Sequence, residues 1–104
     1  MQKPNLDRQF FLPLLQGKIC PFFPEADMID MRTITDAMDL ANNNDAFPLL
    51  AVIEFNPVEG WSRDVSEDAA RWVVDQICNH EATRTPREVD FAEMYLGVGC
   101  IDRD

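Results

Sequence analysis

Catalysis or metal binding in a chain of 104 residues needs titratable groups held at a workable spacing. This sequence has one histidine, His80, and three cysteines, Cys20, Cys78 and Cys100. Structural zinc sites use ligand pairs two to four residues apart, twice over, and no CxxC spacing occurs here. Cys78 and His80 stand two apart, and on a helix such neighbours point about 200° away from each other. They share neither an ion nor a proton in that arrangement. A cysteine nucleophile needs a neighbouring base, and no local signature supplies one. Gly97-Val98-Gly99-Cys100 is too short for a phosphate-binding fingerprint and follows a helical pattern, where such a loop should precede one. It reads as a helix end followed by a turn. A carboxylate pair for glycoside hydrolysis is the remaining enzymatic option. Nineteen acidic residues make coincidental pairs unavoidable, and a chain this small has little room for a cleft. The expectation is therefore no enzyme, no cofactor and no metal, with a small metal- or thiol-dependent enzyme as the weakest alternative.

The charge is the most informative feature. Asp and Glu number 19 against 9 Lys and Arg, a net charge of −10. Direct nucleic-acid binding draws on cations meeting phosphates, so it is not expected. Residues 25–45 hold Glu25, Asp27, Asp30, Asp36, Asp39 and Asp45 against Arg32 alone, while residues 1–24 are slightly basic. Glu54, Glu59 and Asp64 extend the acidic region. Along the helix expected at Ser66, Arg71 has Asp68 at i−3 and Asp75 at i+4, which reads as a self-compensated solvent face.

The longest apolar stretch, Phe10–Phe23, is fourteen residues interrupted by Gln16, Gly17, Lys18 and two prolines. It is too short and too broken to span a bilayer, and it does not read as a secretion signal. Three cysteines cannot all pair within one chain, so reduced thiols and a cytoplasmic location are expected.

The elements that must position these residues follow from spacing. Gln9–Leu15 reads as a short strand or a helical turn, with Pro13 arguing against a central strand. Phe23-Pro24, followed by Glu25 and Asp27, looks like a short helix start. A fresh start at Thr33, with Asp36 three residues on, resembles a capping box. It places Ile34, Ala37, Met38 and Ala41 on one stripe. Asn42-Asn43-Asn44 should end that helix through a left-handed residue. Pro48–Phe55 is the best strand, apolar on both faces, and Asn56–Arg63 reads as a loop through Pro57 and Gly60. Ser66 opens a helix with Ala70, Val73, Val74, Ile77 and Cys78 on its buried stripe, which makes Cys78 a small core residue. Thr85-Pro86-Arg87-Glu88 predicts a capped helix over 86–96 that ends at Gly97, before a short closing strand at Val98–Ile101. The fold class is α+β, a helix-rich single domain with three to four helices packed on a small sheet.

The functional expectation is a non-enzymatic acidic inhibitor that docks on a basic, nucleic-acid-binding surface of a partner protein, its carboxylates standing in for phosphates. Phage-encoded anti-CRISPR and antirestriction proteins and toxin-immunity proteins share this physical character, although no motif places the chain among them. The residues expected to meet the partner are Asp27, Asp30, Asp36, Asp39, Glu59, Trp61 and Asp64. Trp61 has two readings, an anchor for the partner or a cover folded over the core; Trp72, at the edge of the Ser66 helix stripe, reads as half-covered core. The alternative function is a self-associating structural or assembly module, a homodimer formed through Phe10, Phe11, Phe22 and Phe23.

Overall fold

Residues 10–16, FFLPLLQ, form a strand, β1, despite the proline at its centre. The computed structural model describes residues 6–80 and 85–100, and its backbone explains how Pro13 is accommodated. β1 pairs with β3 (Leu49–Asn56) on one side and with the two-residue β2 (Pro21–Phe22) on the other. The Phe11 N–H donates outward, away from β3, to the Met31 carbonyl at 2.9 Å. Backbone polar groups alternate sides along a strand, so the N–H that proline lacks would also have pointed outward. β2 pairs only with Leu15 and Gln16 and does not reach that position. An interior strand therefore tolerates its proline, contrary to the expectation for a central position.

The chain divides into two compact units, residues 1–65 and 66–104. The first is built on a four-stranded antiparallel sheet in the order β2-β1-β3-β4. β4 (Trp61–Asp64) lies within the stretch read from the sequence as a loop, and it pairs with β3 from Asn56 opposite Trp61 to Ile53 opposite Asp64. Four polar or amphipathic residues, Trp-Ser-Arg-Asp, carry no apolar run, which is why periodicity missed it. A register shift at Leu14/Leu15 leaves Leu50 as the extra residue of a bulge in β3. Phe10 and Leu15 are fully buried, each contributing about 1.5–3 kcal/mol of burial.

Between β2 and the first helix the chain forms only a 3-10 turn, Met28–Asp30, with the Asp27 carboxylate capping the Ile29 N–H. No α-helix begins at Pro24, because Met31 is drawn alongside β1 by its carbonyl. The helix α1 (Ile34–Asn42) starts where the capping box places it. Thr33 Oγ1 accepts from the Asp36 N–H at 3.1 Å, and the Asp36 carboxylate accepts from the Thr33 N–H at 3.0 Å. Ala37, Met38 and Ala41 are buried, with Ile34 half-buried, and α1 packs on β1 and β3. Asn43 ends the helix in the right-handed region, at φ −72°, and not in the left-handed one. The following residues continue as turns, with the Asn44 N–H donating to Ala41.

The second unit holds α2 (Ser66–His80) and α3 (Pro86–Leu96), which pack on each other. Burial on α2 follows Ser66, Ala69, Ala70 and Val73, then falls away: Val74 and Ile77 are half-buried and Cys78 is exposed. Cys78 is thus not a core residue; the buried stripe ends a turn before it. α3 carries the expected cap, with Thr85 Oγ1 accepting from the Glu88 N–H at 3.2 Å, and Glu88, Val89, Phe91 and Ala92 buried. Gly97 ends it at φ +99°, a conformation that L side chains rarely adopt. Residues 98–100 form a turn and not the expected closing strand; Ile101 lies outside the described residues. The four-stranded antiparallel sheet and three α-helices among the described residues make an α+β organisation. No helix among the described residues is long and apolar enough to cross a membrane.

Candidate docking surface

The acidic residues grouped together by the sequence fall into two kinds. In one kind the carboxylate is used by the fold. Asp36 Oδ2 accepts from both the Arg32 and Thr33 N–H groups at 3.0 Å, so it anchors the start of α1 and is half-buried. Glu54 is 6% exposed and pairs with Arg63 across β3 and β4, which removes it from any surface patch. Glu59 Oε1 accepts from Asn56 Nδ2 at 2.8 Å and from Trp61 Nε1 at 3.2 Å, which ties down the β3–β4 turn. Asp27 caps its own 3-10 turn while remaining exposed.

In the other kind the carboxylate is left to solvent. Glu25, Asp30, Asp39 and Asp45 are exposed, and their side chains make no hydrogen bond or ion pair among the described residues. Arg32, the only cation of this segment, has its Nε committed to the Ile29 carbonyl at 2.7 Å. On α2, Arg71 pairs with Glu67 and Asp68, and the Asp75 carboxylate accepts from Asn79 Nδ2 at 2.5 Å. The unscreened acid of the described structure therefore concentrates in residues 25–45.

Asn56 organises the turn between β3 and β4, a role that the sequence reading missed. It is 3% exposed. Its Oδ1 accepts from the Val58 and Glu59 N–H groups at 2.9 Å each, and its Nδ2 donates to Asp7 and Glu59. The Gly60 N–H closes the turn onto the Asn56 carbonyl at 2.8 Å, with Gly60 at φ +77°. An Asn followed by Pro and then Gly before a new apolar residue was the available signal for an Asx-type turn.

Beside this turn lies an apolar groove of about 450 Å³ lined by Leu12, Phe23, Ile53, Phe55, Pro57 and Trp61. Residues paired across an antiparallel ladder share a face, so Leu12, Ile53 and Asp64 form one row, and Phe10, Phe55 and Ser62 the next. Trp61 lines the groove half-buried, neither a free anchor nor a core residue. Asp64 is exposed on the groove's own face.

The four phenylalanines expected to self-associate do not share one surface role. Phe10 is 1% exposed with its ring 6.0 Å from Phe55, so it is withdrawn from the surface. Phe22 packs edge-on against Phe47 at 5.0 Å. Phe11 is half-buried and Phe23 is 49% exposed at the groove. Cys20, Cys78 and Cys100 are free thiols, and no three metal-ligating side chains converge among the described residues. Compared with known protein families, curated proteins and solved structures, the chain has no significant match.

Proposed function

We propose that this protein is a non-enzymatic acidic inhibitor that docks on a basic, nucleic-acid-binding surface of a partner protein. The observation that carries the reading is the set of solvent-facing carboxylates at Glu25, Asp30, Asp39 and Asp45, which pair with no cation among the described residues. Charges of one sign left uncompensated repel each other, and a cationic surface converts that repulsion into faster association. Three free thiols fit a reducing compartment such as the cytoplasm. Self-association is the weaker reading, since Phe10 is buried, Phe22 is packed on Phe47, and two copies would each bring a charge of −10.

The test is capture of nucleic-acid-binding proteins on the immobilised chain, with elution by rising salt and by added DNA or RNA. The expected result is a retained basic protein that nucleic acid releases, and that an Asp30→Asn/Asp39→Asn/Asp45→Asn variant retains poorly. Retention of nothing, or retention that nucleic acid does not disturb, overturns the reading.

A further inference from the structure

We draw no further inference here: the strongest candidate, the apolar groove beside the β3–β4 turn with Phe23 and Trp61 in its lining, is an unpartnered apolar surface, and nothing in the structure shows what covers it.

Discussion

Residues 25–45 and the end of the β3–β4 hairpin, residues 54–64, have nearly the same acid density, six in 21 and three in 11. They use it in opposite ways. In the hairpin, Glu54 lies buried against Arg63, and Glu59 is bound by Asn56 and Trp61. In the earlier segment only Asp27 and Asp36 serve the backbone, and Glu25, Asp30, Asp39 and Asp45 project to solvent. A tight turn brings donors within reach of a short acidic side chain. A helix flank without a cation at i+3 or i+4 does not. Counting acids therefore overstates the proposed docking surface, and the geometry of each carboxylate decides whether its charge is available.

The comparison is broken most severely at Asn56. Its side chain makes four hydrogen bonds from a buried position, so Asn56→Ala removes two acceptor and two donor contacts together. The expected loss is about 2–3 kcal/mol, given roughly 0.5–1.5 kcal/mol for a typical bond and more for buried groups left unpaired. Urea melts with unchanged slope and a lower midpoint measure it. A loss under about 1 kcal/mol would show that Pro57 and Gly60 hold the turn without Asn56.

The next effect divides the acids of α1 itself. Asp36→Ala should cost about 1 kcal/mol, since it leaves the Arg32 and Thr33 N–H groups without their acceptor. Asp39→Ala should change stability by no more than about 0.5 kcal/mol in the destabilising direction, as for an exposed site without contacts. Equal losses at the two positions, in matched melts, would erase the distinction between structural and free carboxylates.

Much of the fold was legible because its signals are local. Thr33 with Asp36, and Thr85 with Pro86 and Glu88, mark helix starts by backbone satisfaction alone, and both capping boxes form. The apolar run near 49–56 needed no partner to be read as a strand. What was illegible depends on neighbours distant in sequence. β1 accepts Pro13 only because β2 stops short of it. β4 is a strand only because β3 offers it a ladder. Cys78 sits at a stripe position by periodicity, yet burial on α2 ends before its turn. The candidate surface was half legible: Asp30 and Asp39, singled out within the acid-rich residues 25–45, are exposed. Asp36, Glu54 and Glu59 were spent on contacts whose partners lie in turns or across strands.

The smallest expected effect is also the most specific to the acidic segment. Asp39 lies in the last turns of α1 and Asp45 just beyond its end, with no basic residue in the last turn. The negative end of the helix dipole disfavours both charges. Asp39→Asn/Asp45→Asn keeps size and polarity while removing that repulsion, so stability should rise by about 0.3–1 kcal/mol at low ionic strength. The gain should vanish near 1 M salt, where the screening length falls to about 3 Å. Paired thermal melts of the variant and the parent chain at the two salt concentrations measure this. A variant less stable at low salt would mean that these carboxylates have partners, and the surface would lose its claim to free charge. A gain that salt removes would show an electrostatic cost held in the isolated chain, which a cationic surface is suited to relieve on docking.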